Sequence, residues 1–355
     1  MTNALITGWG MYAPARIMTN QELEKLVDTS DEWIRTRTGI RERRVAAPEE
    51  TTTTLCVNAA RDALAVAGME PEELDLVIVA TCTPDYYMPA TGVLVAHELG
   101  ARRAAGFDLM AACSGFVFSL STATSYVRSG MYRNILVIGA ELLTRFLDYS
   151  DRNTCVLFGD GAGAVIVSAS DEPGGLLGLD MYSDGSGREG IIFPAGGAAC
   201  PTTPATIAEG GHFVHMAGKD VYRYATRQLA ESSKAALRNA GLTVDDIDQF
   251  LFHQANVRII ESVQNAVGIP PEKTYLNIDR YGNTSAASVP MALVEAIADG
   301  RIQPGDRLLM AAFGAGYTAG AAVFEWTADP TRAFLAPGEQ TRLGKPRREL
   351  VEAGA

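Results

Sequence analysis

The sequence predicts an α/β protein of two pseudo-symmetric halves, with helices sandwiched between and around mixed sheets. Two observations carry that reading. Long helical patterns alternate with short runs of Val, Ile and Leu along the chain, as they do where helices cover both faces of a sheet. The second half also repeats the first. AARDALAVAGMEPEELDLVIVA aligns with SSKAALRNAGLTVDDIDQFLFH, matching Ala63/Ala236, Leu64/Leu237, Ala67/Ala240, Gly68/Gly241 and Asp75/Asp248, each pair 173 residues apart. Both copies read as a helix, a glycine that caps it, an acidic turn and a buried strand. SGMYRNILVIGAE and DGRIQPGDRLLMAAF form a second matched block, with Gly130 and Gly300 separated by 170 residues.

Composition bounds the possibilities. With 355 residues, 47% hydrophobic and 20% charged, the chain is an ordinary globular one with enough length for a substantial core. No run is long and apolar enough to cross a bilayer, and Gly8, Gly10 and Pro14 interrupt what a secretory signal would need, so a cytoplasmic location is expected. The net charge of −12 argues against general affinity for nucleic acid or anionic membrane. Five widely spaced cysteines form no CxxC pair and four histidines form no ligand cluster. Free thiols and no metal are therefore expected.

Along the chain, RTRTGIRERR first sets Arg35, Arg37, Arg41, Arg43 and Arg44 within ten residues. Such a run is either a solvated face or a site for a phosphate-bearing ligand. DLMAACSGFVFSL then holds Cys113 at a small-residue elbow between a strand-like run and a helix. The unpaired N–H groups and positive dipole end of a helix start favour thiolate over thiol, which nominates Cys113 as a nucleophile against the alternative of a small buried hydrophobe. GDGAG at 159–163 lacks the spacing of a dinucleotide fingerprint, so its glycines are read as packing devices.

DEPGGLLG at 171–178 has the composition of a connection, putting the boundary between halves near residue 175. The Gly- and Pro-rich stretch 184–211 is expected to be a long surface or active-site loop. QFLFHQANVRII places His253 at a strand end, just before a helix that begins near Asn256; ends of buried strands are where α/β enzymes hold catalytic groups. A shift of 170 carries Cys113 onto Asn283 in RYGNTSAASVPMALVEAIADG, a second elbow. The two are expected to be equivalent positions that symmetry brings together. After Trp326 the chain has Pro330, Pro337 and Pro346 and no apolar periodicity. The expected division is 1–175, 176–327 and a surface-lying or disordered extension over 328–355.

Together, the AACSG-type elbow, HQANVRI and GNTSAAS resemble the Cys-His-Asn condensing enzymes of the thiolase superfamily, and specifically the β-ketoacyl-acyl carrier protein synthase III family. TSDEWIRTRTGIRERR at 29–44, DRNTCVLFGDGAGAVIV at 151–167 and FGAGYTAGAAV at 313–323 look like that family's signatures too, in order from about residue 3 to 327. The resemblance implies a thiolase-like fold of five layers, α-β-α-β-α, and a homodimer. It implies a decarboxylating Claisen condensation of an acyl-CoA primer, acetyl-CoA or longer, with malonyl-acyl carrier protein. The product is a 3-oxoacyl-acyl carrier protein, initiating fatty-acid synthesis. No cofactor is implied, since the coenzyme A thioester is a substrate.

By the same resemblance, Cys113 would carry the acyl group, and the N–H groups of Cys113 and Gly316 would form the oxyanion hole. His253 and Asn283 would donate hydrogen bonds to the malonyl thioester carbonyl as the enolate forms. Trp33, Arg37 and Arg152 would bind coenzyme A or phosphopantetheine, and Arg258 would dock the carrier protein. Met88, in YYMPA, stands where the family lines its acyl pocket across the dimer interface. Some members carry an aromatic wall there, so Met88 points to a different or longer primer. The alternative is a related acyltransferase or condensing enzyme of secondary metabolism with a specialised acyl donor or acceptor. Asn283 favours condensation, because simple acyl transfer has no enolate to stabilise.

Overall fold

The repeat in the sequence is a repeat of sheets. In the computed structural model, which describes residues 2–331, the first sheet contains β1 (Asn3–Tyr12), β2 (Leu76–Ala80), β3 (Ala105–Leu109), β4 (Asn134–Leu142) and β5 (Asp160–Ser170), in the order β1-β5-β4-β2-β3. The second contains β6 (Gly175–Tyr182), β7 (Gln249–Phe252), β8 (Arg307–Gly314) and β9 (Thr318–Glu325), in the order β7-β8-β9-β6. Strand β2 runs parallel to β4 as β7 does to β8, and the remaining pairs match in direction: β4 with β5, β5 with β1, β8 with β9, and β9 with β6 are all antiparallel. A counterpart of β3 is reduced to one parallel bridge between Phe250 and Thr274. Pro270 and Pro271 lie just before it, and proline cannot donate to a ladder.

Seven helices build the layers: α1 (Asp31–Thr38), α2 (Thr52–Ala67), α3 (Thr91–Leu99), α4 (Gly115–Arg128), α5 (Gly218–Ala240), α6 (Val257–Val267) and α7 (Ser288–Ala298). Helices α2 and α3 cover the outer face of the first sheet, α5 and α6 that of the second, and α4 with α7 touches both sheets from between them. This is the predicted five-layer α-β-α-β-α sandwich. Helix α7 is buried at every residue from Ser288 to Ile297, as a helix with apolar surroundings on all sides must be. Helices α2 and α5 both end on a left-handed glycine, Gly68 at φ 63° and Gly241 at φ 70°, the cap that only glycine adopts freely.

The central helices come close to the sheets because glycines remove the side chains between them. A Cβ on Gly139 of β4 would lie 2.1 Å from the Ala286 carbonyl oxygen, and one on Gly163 of β5 would lie 2.7 Å from Pro290. The GDGAG run is thus a packing device, and it is strand from Asp160 onward. Trp9 and Trp326 close the far end of the core edge to face, 5.1 Å apart.

The stretch 184–211 is more ordered than a plain loop. It includes a turn at Gly185–Gly187, a helix at Pro204–Ala208 and a two-residue strand, Ile191–Ile192, paired with His215–Met216. Of the C-terminal extension, residues 332–355 lie outside the described residues; just before them, Trp326 Nε1 donates to the Ala328 carbonyl at 2.8 Å. The tight contact at Gly139 sets an expectation: Gly139→Ala should overpack the central layer and cost about 1–3 kcal/mol, read as a lower denaturation midpoint with unchanged m-value.

Candidate active site

Each central helix begins on a strained elbow. Ala112 has φ 50° and opens the turn Ala112–Ser114 before α4; Ser285 has φ 49° and opens the turn Ser285–Ala287 before α7. Left-handed φ at a residue with a Cβ is uncommon and costs roughly 1–3 kcal/mol. Sharing it marks Ala112 and Ser285 as the equivalent pair, 173 residues apart. This corrects the sequence alignment: Cys113 corresponds to Ala286 and not to Asn283. The offset falls to 170 only afterwards, because α4 has 14 residues and α7 has 11. Asn283 reaches the same cavity from ahead of its elbow.

The first elbow is braced by the turn between β8 and β9. Ser114 Oγ lies 2.7 Å from both the Ala111 carbonyl and Thr318 Oγ1, and Thr318 Oγ1 donates to the same carbonyl at 3.0 Å. A Cβ on Gly314 would stand 2.6 Å from the Cys113 nitrogen. Gly316 sits in that turn at φ 67°. Beside it, Tyr317 stacks on Tyr224 at 3.9 Å, and the Tyr224 hydroxyl donates to the Tyr317 carbonyl.

Burial acts against the helix dipole at the Cys113 thiol. Desolvation pushes it up to about 12, the nearby Glu141 carboxylate adds to the rise, and the Ser285 side chain opposes it. Desolvation thus opposes the thiolate that the helix start favours, and the proton must leave as the sulfur attacks.

His253 follows β7 and is buried. Burial lowers it to about 3, so the ring is neutral at working pH. Nδ1 lies 2.6 Å from Ser288 Oγ, while Nε2 is buried without a hydrogen-bond partner, and the residue lines the cavity described below. The ring edge packs on Phe313 at 5.5 Å. Asn283 is clamped by its backbone: its N–H donates to the Leu157 carbonyl at 2.8 Å, and its carbonyl accepts the Gly159 N–H at 3.0 Å. Its Oδ1 accepts the Ser285 N–H at 2.8 Å. With the oxygen pinned there, Nδ2 is what the amide can offer to a molecule in the cavity.

Glu141 was not singled out from sequence, yet it joins the two halves. Fully buried at the end of β4, it accepts the Cys82 N–H at 3.1 Å, the Thr83 hydroxyl at 2.7 Å, the Thr81 hydroxyl at 3.4 Å and the Ser285 hydroxyl at 3.0 Å. Burial raises it to about 7 against these hydrogen bonds. A carboxylate closing the apolar run NILVIGAE is the signal that could have found it. Ser288 and Gly314 gave no such signal, since small residues at elbows are common.

Cys113, His253 and Asn283 meet on one cavity of about 530 Å³, with Cys82, Ser285, Phe313 and Gly316 beside them. Its remaining walls are mostly apolar, including Leu143, Ile191, Phe193, Val214, Met216, Val221 and Ile259. The 184–211 stretch thus supplies part of the roof.

The other nominated residues do not line this cavity. Trp33 is half-buried under the Arg152 guanidinium, 5.3 Å from its ring, and Arg152 also donates to the Asp28 carbonyl. Arg37 is exposed one turn further along α1, and Arg258 is exposed in the first turn of α6, two residues after the cavity residue Asn256. Helices α1 and α6 are in contact, so these cations share one rim. The arginine run does not act as a unit. Arg43 is 1% exposed and donates to Met18 and Val156 carbonyls and Asn20 Oδ1, so it holds the fold. Arg35 pairs with Asp31, and Arg44 donates to the Pro14 carbonyl. Met88 is 83% exposed and absent from its own chain's cavity, whereas Tyr87 and Met110 line it.

The chain is similar to known proteins over most of its length. Residues 107–185 match the family model of 3-oxoacyl-[acyl-carrier-protein (ACP)] synthase III, and residues 237–326 match that of its C terminal. A β-ketoacyl-[acyl-carrier-protein] synthase III of Roseiflexus sp. (strain RS-1) is 52% identical over 325 residues, covering 92% of this chain and 99% of the relative. Among solved structures, the 3-oxoacyl-[acyl-carrier-protein] synthase III from Aquifex aeolicus VF5 is 44% identical with a TM-score of 0.84, over 92% of this chain and 100% of that one. The priming β-ketosynthase of the R1128 polyketide biosynthetic pathway is 39% identical with a TM-score of 0.86, over 92% and 97%.

The Glu141 network has a pH signature. A folded value near 7, above the ordinary 4.5, means that the folded chain holds this proton more tightly than the unfolded chain. The contribution is full below the ordinary value and is lost as pH rises through the folded one. Denaturant titrations at about pH 5 and about pH 8 should show wild type losing more stability across that interval than Glu141→Gln. Equal losses would refute the raised carboxyl.

Proposed function

The chain belongs to the β-ketoacyl-[acyl-carrier-protein] synthase III family, and on that premise we propose that Cys113, His253 and Asn283 are the catalytic residues of its reaction. The enzyme is an acyltransferase that condenses an acyl-CoA primer with malonyl-acyl carrier protein, giving a 3-oxoacyl-acyl carrier protein and initiating fatty-acid synthesis. In the first half-reaction the Cys113 sulfur bonds to the acyl carbon, the bond to the coenzyme A sulfur breaks, and the thiol proton leaves on coenzyme A. The N–H groups of Cys113 and Gly316 hold the oxyanion, each such donor being worth about 3–4 kcal/mol. In the second, the malonyl C–C bond breaks, CO2 leaves, and the electron pair forms an enolate held by His253 Nε2 and Asn283 Nδ2. The enolate carbon attacks the acyl thioester, and Cys113 takes up one proton as it is released.

One observation carries this reading: Asn283 Oδ1 is fixed by the Ser285 N–H while its amide nitrogen shares a cavity with Cys113 and the partnerless His253 Nε2. Two such donors suit an enolate and are superfluous for simple acyl transfer. The apolar cavity suits an acyl chain. The similarity to the R1128 priming enzyme keeps a specialised primer in view.

The reading needs no metal or organic cofactor, since coenzyme A enters as substrate. Residues 1–175 would supply the nucleophile and 176–327 the histidine and asparagine. Trp33, Arg37 and Arg152 would take the coenzyme A or phosphopantetheine end, and Arg258 the acidic carrier. A homodimer is supported by the edge strand β3 and the exposed apolar Tyr86, Tyr87, Met88 and Met110 next to it; Met88 would then border the partner's acyl pocket. No helix among the described residues is long and apolar enough to cross a membrane, and we place the enzyme in the cytoplasm.

Three experiments test these assignments. Intact mass after mixing with acetyl-CoA and longer acyl-CoAs should show one acyl adduct, lost in Cys113→Ala; CO2 release from malonyl-acyl carrier protein should be abolished in Asn283→Ala. No adduct with any primer would sink the acyl-enzyme. Arg258→Glu should raise KM for malonyl-acyl carrier protein about tenfold or more, with a steeper salt dependence in wild type than in the variant; an unchanged KM would remove Arg258 from docking.

A further inference from the structure

The buried end of His253 is held by a residue with no role so far. Ser288 Oγ, in the first turn of α7, stands 2.6 Å from Nδ1. The same oxygen accepts the Gln254 N–H at 3.3 Å and lies 2.9 Å from the Ser285 carbonyl oxygen. A hydroxyl has one proton, so it donates either to Nδ1 or to that carbonyl. The choice decides the tautomer of a neutral ring. If the proton points at Nδ1, the ring proton must be on Nε2. If it points at Ser285, Nδ1 carries the ring proton and Nε2 is a bare acceptor.

The two acceptors open to the hydroxyl differ. Nδ1 is the nearer, at 2.6 Å against 2.9 Å for the Ser285 carbonyl oxygen. The Ser285 carbonyl already accepts the Ser288 backbone N–H, so it does not need the hydroxyl proton. Gln254 N–H meanwhile occupies the serine oxygen from another side. Across the cavity Asn283 is fixed as a donor by Ser285, and Ser285 and Ser288 belong to one elbow.

We propose that Ser288 is a positioning residue for the condensation: its hydroxyl donates to His253 Nδ1 and holds the ring in the tautomer whose Nε2–H faces the cavity. The elbow that fixes Asn283 then fixes the second enolate donor too. The inference rests on the catalytic reading above. It also means that His253, already protonated on Nε2, acts as a donor and not as the base for Cys113.

The test uses the full chain labelled with 15N-histidine, where only four histidines need to be resolved. Wild type should show a neutral His253 protonated on Nε2. In Ser288→Ala both tautomers should be populated, and CO2 release from malonyl-acyl carrier protein should fall roughly 10- to 100-fold. Formation of the Cys113 adduct with acetyl-CoA should fall much less, a split that general loosening of the site would not give. Ser288→Thr, which keeps the hydroxyl, should restore the Nε2–H signal and CO2 release together. Wild type protonated on Nδ1 would overturn the proposal, as would a folded Ser288→Ala with an unchanged tautomer and unchanged CO2 release. If wild type forms no adduct and releases no CO2, the catalytic reading fails, and the 15N spectra still decide what Ser288 does.

Discussion

Two helix starts meet between two sheets, and the site exists because they can approach so closely. Gly139 leaves room for the Ala286 carbonyl, Gly314 for the Cys113 backbone and Gly115 for Ala80. Ala112 and Ser285 accept left-handed backbone on either side of that contact. Glu141 then crosses it, receiving the Ser285 hydroxyl from the second half and the Cys82 N–H from the first. A buried carboxyl with four protein donors is costly to break, because any lost partner leaves an unpaired charge or dipole in low dielectric. The groups we propose as catalytic hang from this junction.

Burial that secures the junction also sets its chemistry. It disfavours charge on both Cys113 and His253, and the polar groups around them have fixed orientations. Asn283 is held through its oxygen and His253 through Nδ1, and both residues line the cavity. Preorganised donors of this kind stabilise developing charge without the reorganisation that water would require. The apolar walls keep the field of those donors strong.

Selectivity is divided differently. The 184–211 stretch and the first turn of α6 form walls of the cavity, while Arg37, Arg152 and Arg258 lie outside its lining. Arg43 belongs to neither group. It shows that a basic run can split between fold and surface when every second residue of a short strand points inward.

Much of the fold was legible in the chain by itself. Periodicity and the 173-residue repeat determined the two sheets, their helices and the glycine caps, because local geometry and burial leave their period in the sequence. The motifs also named Cys113, His253 and Asn283. Three matters needed the tertiary structure. The register of the elbows was one, since a three-residue difference in helix length shifts the alignment after the very position of interest. The protonation of Cys113 was another, since desolvation depends on everything packed around a thiol and the dipole on its helix alone. The last was the set of long-range polar contacts at the site: Glu141 meets the Ser285 hydroxyl 144 residues away and Ser288 meets His253 35 residues away, and a hydrogen bond across folded chain leaves no period to read.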